Sequence, residues 1–232
     1  MKMLITILTM ITWGALLPQA MADPSITSEM KANKSTQVMR IPMYQPPRRG
    51  APSTRVGGGT RGIGGNTPTV HVLAPDHVGL TVNEQPTLSW YMSKPTSMRF
   101  EFMLINEEGE EPLLELTLDS ANLKEGIQSL NLADHGVKLK PGMQYQWSVV
   151  LIPEEEHRSN DIISSGMIER RDLTGDLKTK LNKANSNEDV FIYAQEGYWY
   201  DAITELTTLI KKDPDNEVLK KQHAQLLNQV GL

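Results

Sequence analysis

In MRFEFMLI, residues 98–105, Phe100, Phe102 and Leu104 fall on one side of an extended chain, with Arg99 and Glu101 opposite. A period of two marks a strand with one face in a core and the other toward water. The pattern recurs on both sides of this stretch. TLSWYM (87–92) aligns Leu88, Trp90 and Met92, and LLELTL (113–118) aligns Leu114, Leu116 and Leu118 against Glu115 and Thr117. YQWSVVL (145–151) aligns Tyr145, Trp147, Val149 and Leu151. Short strands are expected near 70–74, 87–92, 98–105, 113–118, 127–132, 144–152 and 162–169, with turns at Glu108-Gly109 and Pro141-Gly142.

About seven short strands in roughly 100 residues predict an antiparallel β-sandwich over residues 68–171. In LKPGMQY (139–145), Tyr145 stands just ahead of the sixth strand. It resembles the tyrosine corner of immunoglobulin- and fibronectin-like sandwiches, whose hydroxyl ties a loop to its strand. The predicted fold class is therefore mainly β, with an immunoglobulin/fibronectin-like sandwich followed by a small α-helical tail.

From residue 172 to 232 the period becomes helical. Leu173, Leu177, Leu181 and Ala184 form one apolar face, and Ser186 with Asp189 gives a helix-start pattern that runs to Gly197. Trp199, Ala202, Ile203, Leu206 and Ile210 follow at helical spacing before Pro214, and Leu219, His223, Leu226 and Val230 mark a last helix. The spacing of Gly197, Ala202, Ile203 and Pro214 resembles half of a tetratricopeptide repeat. A single unit cannot bury its own face, so these helices must pack on the sandwich, on each other or on a partner.

The N-terminal third reads differently. Lys2 precedes an apolar run from Met3 to Leu17, Pro18 breaks it, and Ala20-Met21-Ala22 offers a small-x-small cleavage pattern. Residues 1–22 are therefore expected to be a signal peptide cleaved near Ala22, leaving a periplasmic or secreted chain. With no cysteine at all, the chain has no disulfide, thiol nucleophile or thiolate metal site. Residues 23–67 have no hydrophobic period and read as an extended arm rich in Arg, Gly and Pro. Met30 to Pro75 carries seven Lys or Arg and no acid, whereas Asp76 to the end carries 15 basic and 26 acidic residues. Such an arm can meet an outside anionic surface or lie on its own acidic domain, and the second reading is the simpler.

Within the arm, RVGGGTRG (55–62) has the G-x-G-x-x-G spacing at Gly57, Gly59 and Gly62. A dinucleotide turn needs a strand before the glycines and a helix after them. PPRRGAPSTRV and IGGNTPTV are neither, so nucleotide binding is excluded and nucleic acid is disfavoured by export and the acidic body. Arg48, Arg49, Arg55 and Arg61, interleaved with Gly57, Gly58, Gly59 and Gly62, instead suit docking by charge-assisted bonds.

The strings YQPPRRGAP and RVGGGTRG, followed in order by GLTVNEQPTLSWYM (79–92), LKPGMQYQWSVVLI (139–152), RSNDIISSGMIER (158–170) and AQEGYWYDAITEL (194–206), resemble an exported bacterial family common in cyanobacteria and known as domain of unknown function 928. The resemblance covers residues 44 to about 210. It implies the architecture above and no established activity. Many members carry a Cys after the first motif and another after the sixth strand. This chain has Gly64 and Pro153 near those places, so no shared disulfide or thiol role carries over.

Candidate chemistry is sparse. His71, His77, His135, His157 and His223 form no HExxH or His-x-His cluster, and Glu154-Glu155-Glu156-His157 reads as a solvated loop. No G-x-S-x-G elbow occurs. Arg158 and Asp161 are spaced for a local ion pair. Trp90 and Trp147 read as core, and Tyr198, Trp199 and Tyr200 as a joint between sheet and helix. No catalytic residue, metal or cofactor is assigned. The expected role is a non-enzymatic protein–protein interaction module in an envelope assembly, with Tyr145, Arg158, Asp161, Gly197 and Trp199 as structural residues. The alternative is a carbohydrate-binding sandwich acting on envelope or exported polysaccharide, which exposed aromatics on the sheet would favour.

Overall fold

The computed structural model describes residues 39–47, 55–57, 67–106, 109, 111–119, 121, 123–185 and 187–232. Eight strands lie within them: β1 (Val70–Val72), β2 (Gly79–Thr81), β3 (Thr87–Met92), β4 (Arg99–Asn106), β5 (Leu114–Leu118), β6 (Gly126–Asn131), β7 (Gln144–Ile152) and β8 (Ile162–Arg170). Four helices follow: α1 (Gly175–Lys183), α2 (Asp189–Gln195), α3 (Trp199–Lys212) and α4 (Glu217–Asn228). The chain is mainly β, with a three-stranded sheet in the order β1-β3-β6 and a five-stranded sheet in the order β2-β8-β7-β4-β5.

Alternation places the rings as the sequence predicts. Leu88, Trp90 and Met92 of β3 and Phe100, Phe102 and Leu104 of β4 are all buried, together with Tyr145, Trp147, Val149 and Leu151 of β7. Trp90 of the three-stranded sheet stacks on Phe100 of the other with ring centres 5.8 Å apart and lies 6.4 Å from Phe102, so aromatic side chains join the two sheets, while Phe102 stacks on Trp147 within the five-stranded sheet at 6.2 Å. Each such side chain contributes about 1.5–3 kcal/mol by leaving water. Ahead of β7, the Tyr145 hydroxyl accepts from the Lys140 N–H at 2.8 Å.

One edge departs from an all-antiparallel arrangement. β2 runs parallel to β8, with Gly79 opposite Ile168 and Thr81 opposite Arg170. The three residues of β2 are buried throughout, so they show no alternation from which a strand could be read. Gly79 is required there for space: a Cβ would lie 2.6 Å from the Tyr200 ring.

The helices share the core of the sheets. Val190, Ala194, Trp199, Tyr200, Ala202, Ile203, Leu206 and Leu226 belong to the same buried cluster as the strand rings. Thr174 caps α1 by accepting from the Leu177 N–H, and Asn216 caps α4 by accepting from the N–H groups of Val218 and Leu219. The expected cap of α2 at Ser186 lies outside the described residues; α2 starts at Asp189 with no side-chain cap on Glu188. Leu173 stands exposed rather than on an apolar face, because α1 begins only at Gly175. No helix among the described residues is long and apolar enough to cross a membrane.

Candidate binding groove

Directional bonds fix the start of α3 to the sheets. The indole N–H of Trp199 donates to the Leu73 carbonyl at 2.8 Å. The Tyr200 hydroxyl accepts from the Trp147 indole N–H at 2.8 Å and donates to the Met167 carbonyl at 3.0 Å, all in buried surroundings. Asp201 accepts from the Val82 N–H at 3.1 Å and from the Thr81 hydroxyl at 3.2 Å. Burial pushes the Asp201 carboxyl up to about 7, because its charged form loses water that these bonds replace only in part. Tyr198, Trp199 and Tyr200 are all buried, so this cluster is a packing joint and offers no aromatic platform.

Two described pieces of the arm lie on this body. Residues 39–47 cross the helices. The side-chain amide of Gln229 donates to the Pro42 carbonyl and its oxygen accepts from the Tyr44 N–H, while Gln222 donates to the Arg40 carbonyl and the Gln45 N–H donates to the Ala194 carbonyl. The Tyr44 ring is buried edge-on against Trp199, with centres 5.0 Å apart. Its hydroxyl meets His77 Nε2 at 2.8 Å, and His77 Nδ1 faces Asp76 at 3.1 Å. A neutral ring that donates from Nδ1 leaves Nε2 as acceptor for Tyr44. Gly197, at φ 82°, turns the chain after α2, and a Cβ there would come within 2.8 Å of the Gln45 carbonyl. The second piece pairs Val56 with Ser165 of β8 through two backbone bonds of 3.0 Å.

The Arg55 guanidinium donates to backbone carbonyls, those of Ala74 (3.1 Å), Val230 (2.9 Å) and Gly231 (3.2 Å). Carbonyls just past the end of α4 are orphaned acceptors at the negative end of a helix, which suits a cation. Gly57 is also described, whereas Arg48, Arg49, Gly58, Gly59, Arg61 and Gly62 lie outside the described residues. Arg158 donates to Asp161 at 2.7 Å and to Glu101 at 3.0 Å, beside an Arg99–Glu101 contact of 3.0 Å on the far side of β4 from the core.

Arg55 also borders a groove of about 630 Å³ between the outer face of the three-stranded sheet and α4. His71, Tyr91 and Ile127 stand in one cross-strand row over β1, β3 and β6 and form its floor. Leu73, Ala224, Leu227 and Leu232 add apolar wall. Tyr91 and Ile127 are each 37% exposed, so the floor is open to solvent. His71 is held below its ordinary value by burial and by the Arg55 charge, and burial alone drives His223 down to about 4. Both shifts favour the neutral form of the ring. The groove is not legible in the sequence because its lining spans Arg55 to Leu232; the orientation of Tyr91 away from Trp90 is its one local sign. Among the described residues, no group of three or more His, Cys, Asp or Glu is placed to hold a metal ion.

A family model described as Domain of Unknown Function (DUF928) matches residues 56–232. No curated protein matches the chain. Among solved structures, the chain resembles an engineered protein from a structural-genomics consortium at 9% identity and a TM-score of 0.31, over 45% of this chain and 20% of that one. That likeness carries no argument about fold or function.

Proposed function

The chain belongs to the family known as domain of unknown function 928, and on that premise we propose that it is a non-enzymatic, exported adaptor that holds a protein partner in an envelope assembly through the groove between the three-stranded sheet and α4. In this reading residues 1–22 are a signal peptide and the two sheets form an immunoglobulin/fibronectin-like sandwich. The Tyr145 hydroxyl bond to Lys140 supports the sandwich assignment. The α2–α3 pair, which resembles half of a tetratricopeptide repeat, packs into the shared core, and the helical wall of the groove is α4.

The observation that carries the proposal is the open, largely apolar concavity itself. Its volume falls within the range of pockets that bury a small ligand or a short peptide segment. Aliphatic side chains dominate its walls, and among the described lining residues Tyr91 is the one Phe, Tyr or Trp, a lining suited to apolar side chains rather than to stacked sugars. The arm contributes by completing the groove with Arg55 and Gly57, so the partner meets a finished site.

A photo-crosslinking residue placed at Ile127 in the mature protein, within its own envelope, tests this reading. The expected result is one protein crosslinked at 127 and absent when the same residue replaces Ile163, which is exposed on β8 of the other sheet. Crosslinking to polysaccharide with no protein would transfer the function to the carbohydrate-binding alternative.

A further inference from the structure

The geometry points to a second binding site, a cavity between the edge strands of the two sheets that takes a single neutral sugar ring through one of its hydroxyls. This site is separate from the groove and does not rest on it. β5 and β6 each end their sheet, so the interior opens between them. There Leu118 of β5, Leu130 of β6 and Leu123 from the connection between these strands line a space of about 250 Å³. Trp90 forms part of its wall. The residue is 2% exposed, and its indole N–H is buried with no acceptor among the described residues. A buried donor left unpaired costs about 1–3 kcal/mol, so a group in the cavity that accepts from it removes that cost.

Gln128 selects the chemistry of that group. It stands directly opposite Trp90 in the β3–β6 register, and residues so paired share one face of a sheet, so both side chains face the interior. The Gln128 side-chain amide donates to the Lys124 carbonyl at 2.9 Å, which leaves its oxygen as an acceptor with no donor among the described residues. An unused donor beside an unused acceptor calls for a group that is both. A hydroxyl accepts from Trp90 and donates to Gln128, whereas a carboxylate or carbonyl would set its lone pairs against the Gln128 oxygen. Asp134, exposed at the mouth with His135, repels an anion and offers an acceptor to a second hydroxyl. The leucines suit the C–H face of a hydroxylated ring. The volume lies below the range of pockets for drug-sized ligands, which limits the occupant to one ring.

The test titrates the full chain with methyl β-glucoside, methyl β-galactoside and the methyl glycoside of N-acetylglucosamine, beside methoxycyclohexane as a ring without hydroxyls, and follows nitrogen–proton NMR signals. The expected result is saturable movement of the Trp90 indole N–H and the Gln128 side-chain amide by at least one glycoside, while Leu227 in the groove stays still. Trp90→Phe, which keeps a ring and loses the donor, should weaken that glycoside about fivefold, as the loss of one hydrogen bond does. Because the indole signal is read on the unaltered protein, the outcome does not depend on that variant folding. Undiminished binding by a folded Trp90→Phe overturns the inference. Equal movement by methoxycyclohexane makes the cavity merely apolar and overturns it too. If no glycoside moves the two signals, water alone bridges them and the inference falls, with the groove reading untouched.

Discussion

Trp90 and Trp199 are both buried, yet Trp90 leaves its indole N–H without a partner among the described residues while Trp199 donates to Leu73. Trp90 lies between the sheets, where Phe100 and Phe102 surround it and contact area alone fixes its place. Trp199 lies where a helix meets a sheet, and with Tyr200 and Asp201 it satisfies backbone groups from residues 73, 82 and 167. Area is non-directional, so the inter-sheet core tolerates a ring of another shape. The joint holds buried polar groups, and each one left unpaired costs a desolvation penalty.

The contrast is testable in descending order of effect. Trp199→Ala should destabilise the fold by roughly 3–5 kcal/mol in urea unfolding, since it removes a buried ring together with the donor to Leu73. Tyr200→Phe keeps the ring and strands both the Trp147 N–H and the Met167 carbonyl, at a cost of roughly 1–3 kcal/mol. Trp90→Phe should cost less than Trp199→Phe in the same assay, because only the second leaves a carbonyl without its donor; the reverse order would break the comparison.

Asp201 adds a pH signature. Its folded value of about 7 lies above the ordinary 3.8, so the folded chain holds a proton that the unfolded chain has released in between. That contribution to stability is complete below about pH 4 and is lost as pH rises to and through 7. Glu205, one turn along α3 and also raised by burial, adds to the same trend. Unfolding midpoints from pH 4 to 8 should therefore fall less steeply in Asp201→Asn than in the unaltered protein. An unchanged slope would remove Asp201 from this role. The smallest effect belongs to Arg158→Ala: the side chains of its partners Glu101 and Asp161 are buried, but Arg158 itself is half exposed, and a smaller loss of stability than that of Tyr200→Phe is expected in the same urea unfolding.

What was legible in the sequence follows the same division. Alternation exposed β3, β4 and β7 because large apolar side chains fill one face of each while the other carries mainly polar ones such as Ser89, Glu101 and Gln146, although Ser89 and Glu101 are themselves buried. Helical spacing exposed α3 and α4 through Ile203, Leu206 and Leu226. β2 was illegible because a short strand buried on both faces carries no period, and its parallel partner lies about 90 residues away. The docking of Tyr44 was hidden in a Pro-rich stretch with no local pattern, since its contacts to His77 and Trp199 are purely tertiary. The bonds of Arg55 were illegible too, because carbonyls at the end of α4 leave no charge pattern in a sequence. The groove combines one face of a sheet with one face of a helix, and only the fold brings His71, Tyr91, Ile127 and Leu227 together.

The central claim, that this groove is the working site, is tested most directly by titrating the protein with the anionic apolar dye anilinonaphthalene sulfonate, beside Ile127→Glu. The account predicts saturable dye fluorescence from one site, lost in Ile127→Glu while the unfolding midpoint is unchanged. Equal dye binding by both proteins would contradict it and place the apolar site elsewhere on the molecule.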